Sequence, residues 1–351
     1  MNKRKVLFFA NFPPPMNGSS KVSEEVYNML REINSLELTI IDSTVSMSLK
    51  EMNGYNYQKL KRLYAVLNQL YTTVRRAHYE ILYMALNTNM IGIIKILLTL
   101  ILTYSRPEKI FIHSHLFTTY SRFQSFLIHF FPKISFITMD SSRALLKGHL
   151  FLPNSDFITL DISTPKSLPV NKTWNILLIS NLYSFKGIFA LLEILKQINQ
   201  KDRLRFRLDL VGDEGDLSFD DIREKCSYLG IKNSVTLLGP VYDRDEKISL
   251  LRKADLVVYP SQKDYMPVFL IESLHFGIPI VSSNVGCTDQ LVEHGVNGMI
   301  CNTFKEYITA IEHISSSKSI YESMSRNSLR LYKEMYSQEA IRRVLYDIFL
   351  N

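Results

Sequence analysis

The sequence predicts an α/β protein with two doubly wound domains, and three observations carry this prediction. The chain has 351 residues, more than one typical domain of about 100 to 200 residues. Short apolar runs alternate with helical periodicity, a pattern typical of parallel sheets covered by helices. A polar segment with two prolines interrupts this alternation near the middle. We therefore expect a first domain over 1–162, a linker over 163–173 and a second domain over 174–335.

The composition is that of an ordinary globular protein, with 46% hydrophobic and 21% charged residues. Three cysteines show neither metal-ligand spacing nor a disulfide framework, which favours a reducing cytosol. The formal net charge of +7 indicates an anionic partner. Charge alone does not choose between a nucleotide, an anionic lipid and a nucleic acid.

The N-terminus superficially resembles a signal peptide, because a basic end precedes an apolar run. That run is short and ends in three prolines, so we interpret residues 6–10 as a first strand. A loop over 12–20 and a helix to about residue 33 follow. This opening is Rossmann-like but lacks G-x-G-x-x-G, so it gives little support for a dinucleotide site.

The rest of the first half continues the alternation. The segment 90–104 is too short to span a bilayer and contains Lys95, so we expect a buried helix. The helix 59–76 is amphipathic and basic, with Leu60 on its apolar face and Lys59 on its basic faces. This pattern is typical either of a helix on an anionic membrane or of one that covers a sheet. Further strands are expected at 38–41, 81–84, 109–112 and 134–138.

Lys186 and Gly187 stand at the start of a predicted helix in the second half, directly after a strand at 175–179 and a loop. The N-terminus of a helix carries a partial positive charge. A lysine is therefore misplaced at this position unless an anion binds between the two. The segment predicts an anion site.

The stretch 254–300 organises the second half as strand, loop, helix and strand. Its helix begins near Pro267 and is apolar nearly all round, yet it contains Glu272. A buried carboxylate is costly without a hydrogen-bond donor, so Glu272 needs a dedicated donor. Asp264 lies in the loop at the strand's C-terminal end, where open α/β sheets bind ligands. Alternatively, Glu272 caps a neighbouring loop.

Three further segments carry candidate site residues. His113 and His115 follow a predicted strand. They could bind a sugar or a phosphate, bind a metal together with a third ligand, or have a structural role. Asp243-Arg244-Asp245 has the form of a metal-binding motif, but its position before a helix favours an N-cap. After another strand, the backbone around Gly286 could donate to phosphate or sugar oxygens.

Asp264 and Glu272, with Tyr265-Met266-Pro267 between them, resemble the acidic pair separated by seven residues in retaining glycosyltransferases of family 4. The resemblance implies the glycosyltransferase-B fold, two Rossmann-like domains facing across a cleft. It also implies that Glu272 binds the ribose of a nucleotide sugar and that Asp264 lies beside the donor sugar and diphosphate. The family usually has Glu and Gly where this chain has Asp264 and Tyr265.

Other segments resemble the same family. Pro-Pro-x-x-Gly-Ser at 14–19 matches its N-terminal loop, and the His-x-His pair matches a segment that contacts the donor sugar. Lys186-Gly187 matches its diphosphate-binding segment. Asn181 replaces the usual Arg, whose charged contacts an amide cannot reproduce. The donor-binding set implied by the resemblance is Gly18, Asn181, Lys186, Gly239, Val241, Tyr265, Met266, Pro267, Val268 and Glu272.

The resemblance implies a retaining transfer of a hexose or N-acetylhexosamine from a nucleotide diphosphate sugar to a saccharide acceptor. Asp264, His115 and Lys186 would be catalytic, His113 and Gly286 possible sugar contacts. Electrostatic stabilisation and domain closure would supply most of the catalysis. We expect no metal cofactor, no nucleic-acid partner, and a last helix, 336–351, that packs on the first domain.

By analogy, the acceptor would be lipid-linked, in cell-envelope polysaccharide synthesis such as that of O-antigen or capsule. The protein would be cytoplasmic, with a possible peripheral contact to the inner membrane face through the helix 59–76. Two alternatives stay open at this point. One is a catalytically impaired nucleotide-sugar-binding module, which the loss of Arg at Asn181 motivates. The other is a sugar-nucleotide epimerase on the same fold.

Overall fold

The structure, a computed structural model, divides the chain into two compact units. Met1–Pro153 and Glu339–Asn351 form the first unit, and Asn154–Gln338 form the second. Each unit contains one six-stranded parallel sheet, which confirms the predicted α/β class. The residues that the structure describes are 3–14, 18–46, 57–86, 90–114, 121–139, 148–153, 163–167, 173–200 and 205–350.

The first sheet has the strand order β2-β1-β3-β4-β5-β6. Its strands are β1 (Arg4–Ala10), β2 (Leu36–Asp42), β3 (Ile81–Leu86), β4 (Lys109–Ser114), β5 (Ile134–Thr138) and β6 (His149–Phe151). Its helices are α1 (Gly18–Arg31), α2 (Tyr57–Arg76), α3 (Met90–Thr103) and α4 (Ser121–Phe130). The helix α4 lies between two predicted strands, where the alternation predicts a helix, whereas the short strand β6 was not predicted from the sequence.

One face of the first sheet is covered by α2, α3 and α4. Leu70, Ile96 and Leu127, one residue from each helix, belong to a single buried cluster with alternate residues of the strands, such as Leu7 and Ile110. Because successive strand side chains point to opposite faces, this cluster lies on one side of the sheet. The outer sides of the three helices therefore point away from it.

Two predictions about these helices were wrong. The helix α3 is only half buried, because Ile94, Leu97 and Ile101 are exposed on its outer side. In α2 the side chain of Lys59 is buried, whereas Leu60 is exposed. A sheet covers only one side of a helix, so the uniformly apolar sequence of α3 did not imply full burial. Among the helices of the described ranges, none has the length and hydropathy to cross a bilayer.

The second sheet has the order β12-β11-β10-β7-β8-β9. Its strands are β7 (Trp174–Ile179), β8 (Phe206–Val211), β9 (Val235–Gly239), β10 (Leu256–Tyr259), β11 (Ile280–Ser282) and β12 (Gly298–Ile300). The helices are α5 (Ile188–Asn199), α6 (Phe219–Leu229), α7 (Arg244–Lys253), α8 (Val268–His275), α9 (Thr288–Leu291), α10 (Phe304–Ser316), α11 (Lys318–Leu331) and α12 (Gln338–Leu350). Short turns of 3-10 helix occupy Ser184–Lys186 and Lys232–Ser234, and a π-helical turn occupies Tyr332–Tyr336.

The last helix, α12, packs against elements of the first unit. The ring of Phe349 lies 5.3 Å from that of Phe111 and 6.1 Å from that of Tyr83. Arg4 donates a hydrogen bond to the carbonyl of Phe349 at 2.7 Å. These contacts bring the end of the chain back to strands β1, β3 and β4.

A buried lysine ties α3 to the ends of β1 and β2. The Nζ atom of Lys95 donates to Oδ1 of Asn11 at 2.8 Å and to Oγ of Ser43 at 2.9 Å. Burial lowers the pKa of Lys95 to about 8, although the charge of Asp42 acts in the opposite direction. One helix, α3, and the ends of two strands, β1 and β2, thus meet at one polar contact inside the first unit.

Replacing Lys95 with Met should change how stability depends on pH. The pKa of Lys95 in the folded chain lies below the ordinary value of 10.5, so the unfolded chain binds more protons between these values. The free energy of unfolding of the wild type should therefore rise by about 2 kcal/mol from about pH 7 to about pH 10, relative to Lys95→Met. Urea unfolding followed by circular dichroism measures this, with the exposed-site variant Lys61→Met as control. Parallel pH profiles for wild type and Lys95→Met would contradict the assignment.

Candidate active site

The candidate site lies at the switch point of the second sheet. The chain runs from β7 outward through β8 and β9, and then returns to β10 on the other side of β7. Loops that leave two such neighbouring strands diverge and open a crevice at the carboxyl ends. Lys186 follows β7 and Asp264 follows β10, so the topology brings these two predicted residues to the same crevice.

Gly187 allows the two loops to approach each other. Its φ of 74° is left-handed, and it precedes the first residue of α5. A Cβ atom at this position would lie 2.0 Å from the carbonyl oxygen of Pro260. Only glycine tolerates both conditions. The contact places Lys186 at the N-terminus of α5, as the sequence predicts, and beside the loop after β10.

Lys186, Asp264 and Tyr259 form a compact polar cluster. The Nζ atom of Lys186 lies 2.5 Å from Oδ2 of Asp264 and 3.2 Å from the hydroxyl of Tyr259. Tyr259 donates its hydroxyl proton to the same carboxylate oxygen. Burial, and then the charge of Asp264, raise the pKa of Tyr259 well above its usual value. The hydroxyl therefore stays protonated and remains a donor at neutral pH.

The carboxylate of Asp264 is an anion of the chain itself that lies at the predicted anion site. Lys186, directly before the N-cap of α5, is paired with the carboxylate of Asp264. The ion pair is only about one-fifth exposed on both sides, so screening by water is weak. A phosphate group entering here would compete with Asp264 for the same cation. The arrangement can hold an anion and can position a carboxylate next to it.

Gly286 allows the loop after β11 to pack closely against the backbone of Asp264 and Tyr265. Its φ is 57°, and a Cβ atom there would lie 2.3 Å from the carbonyl oxygen of Tyr265. The N–H of Cys287 donates to that carbonyl at 2.6 Å, and the N–H of Thr288 donates to the carbonyl of Val285. The N–H groups of Cys287 and Thr288 thus hold the loop together, and the expected contact of Gly286 with the sugar stays a prediction.

Glu272 is buried on α8, as predicted, and its donor comes from within the chain. The Nζ atom of Lys247, on α7, lies 2.5 Å from Oε1 of Glu272. The Lys247 side chain is about one-third exposed, whereas that of Glu272 is only 3% exposed. The predicted need for a dedicated donor is confirmed. Burial of the acid alone therefore does not require a ribose.

Asn181 lies in the loop after β7 and is exposed. Its Oδ1 atom accepts a weak hydrogen bond from the backbone N–H of Asp213, at 3.3 Å, so the side chain links the loops that follow β7 and β8. The amide adds no positive charge at this point. Lys186 therefore supplies the positive charge of the loop after β7.

The other donor-binding candidates of the second unit lie in two loops. Gly239 ends β9, and Val241 follows it half-buried. Asp243 caps α7 by accepting the N–H of Glu246 at 2.8 Å, which confirms the predicted N-cap. In the loop before α8, Met266 and Pro267 are buried and Tyr265 is half-buried, as is Val268, the first residue of α8. Pro267 is the N-cap of α8, so the helix begins at Val268, one residue later than predicted.

The first-unit candidates are placed less completely. Gly18 is the first residue of α1, so the predicted loop is shorter than expected. His113 is buried on β4, and its Nδ1 atom lies 2.6 Å from the hydroxyl of Tyr83. His115 lies outside the described residues. Within the described ranges, no three His, Cys, Asp or Glu side chains are close enough to hold a metal ion.

Two residues of the site were missed in the sequence. Tyr259 ends the apolar strand β10, and its polar hydroxyl at a predicted crevice was an available signal. Lys247 lies one turn into a charged helix and 25 residues before its partner. Sequence spacing shows nothing about such a pair, because α7 and α8 meet only in the folded sheet.

The sequence comparisons point to one family. Residues 161–330 match the model of the family Glycosyl transferases group 1. The match covers just under half of the chain and lies almost wholly in the second unit. An uncharacterized glycosyltransferase of Haemophilus influenzae is 29% identical over 215 residues, which are 58% of each chain. The match to family 4 within these enzymes stays a prediction.

One further sequence relative and one solved structure show what the chain resembles. An Escherichia coli protein named UDP-Gal:alpha-D-GlcNAc-diphosphoundecaprenol alpha-1,3-galactosyltransferase is 23% identical over 43% of this chain and 38% of its own length. These sequence matches span little more than half, or less, of the relatives. The crystal structure of a glycosyltransferase from Rickettsia africae superposes with a TM-score of 0.77 at 15% identity, covering 99% of this chain and 98% of that one. It confirms the predicted glycosyltransferase-B fold.

Replacing Lys247 with Met should destabilise the second unit. The change leaves the carboxylate of Glu272 buried without its cation, which should lower the free energy of unfolding by about 2 kcal/mol. Trp174 is the single tryptophan and is buried on β7, so its fluorescence during urea unfolding reports this unit. Lys253→Met, at an exposed lysine of the same helix, is the matched control. Equal unfolding midpoints for the two variants would show that the pair contributes no stability.

Proposed function

We propose that the chain is a retaining glycosyltransferase that moves a hexose or N-acetylhexosamine from a nucleotide diphosphate sugar to a saccharide acceptor. The observation that carries the proposal is the cluster of Lys186, Asp264 and Tyr259 at the switch point, with Glu272 buried eight residues further along the chain. A cation at a helix N-terminus suits a diphosphate. A buried carboxylate suits two ribose hydroxyls.

Each residue has a proposed role in the transfer. Lys186 leaves Asp264 and binds the diphosphate. There it neutralises the negative charge that develops on the leaving group. Asp264, released from the lysine and still held by Tyr259, orients the donor sugar. Glu272 accepts hydrogen bonds from the ribose. His115 and Gly18 remain predicted contributions of the first unit.

Retention at the anomeric carbon is part of the proposal. Asp264 is held by an ion pair and a hydrogen bond, which suits a positioning carboxylate better than a covalent nucleophile. We therefore propose stabilisation of the departing diphosphate, without a double displacement through an enzyme carboxylate. The proposal involves no metal cofactor, because Lys186 supplies the positive charge beside the leaving group.

The proposed acceptor is a lipid-linked saccharide of cell-envelope polysaccharide synthesis, such as that of O-antigen or capsule. The Escherichia coli relative supports this, because its name gives a diphosphoundecaprenol-linked acceptor and a UDP-linked donor. Such an acceptor would locate the reaction at the cytoplasmic face of a membrane. The basic helix α2 is the proposed contact with that surface.

A second candidate is a binding module that does not catalyse transfer. The exposed amide of Asn181 favours it, because this side chain supplies no charge to the diphosphate. Incubation of the purified chain with a panel of nucleotide sugars separates the two candidates. Release of free nucleoside diphosphate that depends on a saccharide acceptor supports transfer. Nucleotide binding without release supports the module, and a changed sugar would contradict both.

Replacing Glu272 with Gln should weaken nucleotide binding. The amide keeps the shape of the carboxylate but loses its charge-assisted hydrogen bonds, so the Kd for UDP or GDP should rise about tenfold or more. Isothermal titration calorimetry with both nucleotides measures the change and identifies the preferred base. Glu246→Gln, at an exposed acid of α7, is the control. An unchanged Kd for Glu272→Gln would count against the ribose assignment.

Replacing Tyr259 with Phe should impair turnover more than nucleotide binding. The variant keeps the buried ring and removes the hydroxyl that holds Asp264, so we expect kcat to fall about tenfold with little change in the Kd for the nucleotide. Tyr321→Phe removes another buried hydroxyl of the second unit, which bonds the carbonyl of Asp255, and controls for general destabilisation. Wild-type kcat in Tyr259→Phe would contradict the positioning role.

A further inference from the structure

The outer side of the α2, α3 and α4 layer carries a continuous set of exposed apolar residues. On α3 these residues recur at spacings of three and four, so they form one stripe along the helix. Ile101 is 78% exposed and Tyr64 is 73% exposed. We call this set the outer face. Its members are Tyr57, Leu60, Tyr64, Tyr71, Ile94, Leu97, Ile101, Phe126 and Phe130.

The charged side chains of the three helices that carry the outer face have one sign. The three helices, of 20, 14 and 10 residues, contain no Asp or Glu, whereas acids make up 34 of the 351 residues of the chain. The exposed cations on α2 are Lys61, Arg75 and Arg76. The guanidinium of Arg75 lies 4.5 Å from the ring centroid of Tyr71, so charge and aromatic surface are presented together.

Other helices of the first unit differ in this respect. The helix α1 contains Glu24 and Glu25, and α12 contains Glu339 and Asp347. The absence of acids is therefore a property of the three helices that carry the outer face, and not of the unit as a whole. A surface that is apolar, rich in aromatic rings and exclusively basic is complementary to an anionic bilayer.

We propose that the outer face of α2, α3 and α4 docks on an anionic lipid bilayer. Its aliphatic and aromatic side chains enter the headgroup region, where tyrosine rings are favoured, and Lys61, Arg75 and Arg76 contact lipid phosphates. A symmetric contact between two copies would place these cations against one another, so the charges favour lipid. The inference rests on the proposed function for its purpose, because a lipid-linked acceptor is held in the same bilayer.

Sedimentation with lipid vesicles tests the proposal on the full chain. The protein should pellet with vesicles of phosphatidylcholine and phosphatidylglycerol, and much less with vesicles of phosphatidylcholine alone. Added salt should weaken the binding, because it screens the basic side chains. Failure to pellet with the mixed vesicles at low salt, or equal pelleting with both vesicle types, would overturn the proposal.

A charge-reversal pair tests which surface binds. Arg75→Glu with Arg76→Glu should weaken partitioning onto the mixed vesicles about tenfold or more, since each basic residue near such a surface contributes on the order of 1 kcal/mol. The matched control is Arg252→Glu with Lys253→Glu, an exposed basic pair in the last turn of α7. Equal loss of binding in both double variants would show that net charge, and not the outer face, is responsible.

An apolar pair tests the contribution of α3. Leu97→Gln with Ile101→Gln changes two exposed side chains, so the fold should be kept, and vesicle binding should fall about tenfold or more. Tyr228→Gln, at an exposed aromatic residue of the second unit, should bind like the wild type. Conversion of a dimer to a monomer by the α3 variant, seen by light scattering, would instead identify a contact between copies.

Nucleotide binding separates this inference from the proposed function. Calorimetry with UDP or GDP should give the wild-type Kd for both outer-face variants, because the substitutions lie on the first unit and outside the candidate site. Vesicle binding without any nucleotide binding would contradict the proposed function and leave the docking surface intact. Nucleotide binding and acceptor-dependent turnover without vesicle binding would overturn the docking surface alone.

Discussion

The ion pair between Lys186 and Asp264 is the interaction on which the candidate site depends. It joins the loops after β7 and β10, the two strands at which the second sheet reverses direction. Gly187 permits the close approach, and Tyr259 adds a hydrogen bond to the same carboxylate. The pair gives the site a positive charge at a helix N-terminus that is already balanced, so an incoming diphosphate must exchange with a carboxylate.

The same principle applies to Glu272. A buried carboxylate needs a counter-charge or hydrogen-bond donors in every state of the protein. Lys247 supplies the counter-charge here, and its partly exposed side chain can move toward water when another donor arrives. Both acids of the motif are thus paired with lysines in the described structure. Ligand binding on this account is an exchange of partners at two preformed carboxylates.

Much of the fold followed from the sequence. The strand β5 was predicted at its observed bounds and β7 within one residue of them, because short apolar runs between polar segments mark the strands of a covered parallel sheet. The site was predicted where a motif is local, as in Lys186-Gly187 and in Asp264 with Glu272. The pairing of Lys247 with Glu272 and the packing of Gly286 against the loop after β10 were not predicted, because both depend on how segments distant in the sequence pack together. The half-exposed state of α3 was missed, since an apolar sequence does not show which side a sheet leaves uncovered.

The most direct test is a crystal structure of the chain with bound UDP or GDP. The account predicts that the carboxylate of Glu272 lies within hydrogen-bond distance of both ribose hydroxyls. It also predicts that Nζ of Lys186 has moved from Asp264 to a phosphate oxygen. A nucleotide bound elsewhere, with Glu272 still paired with Lys247 and Lys186 still paired with Asp264, would contradict the account.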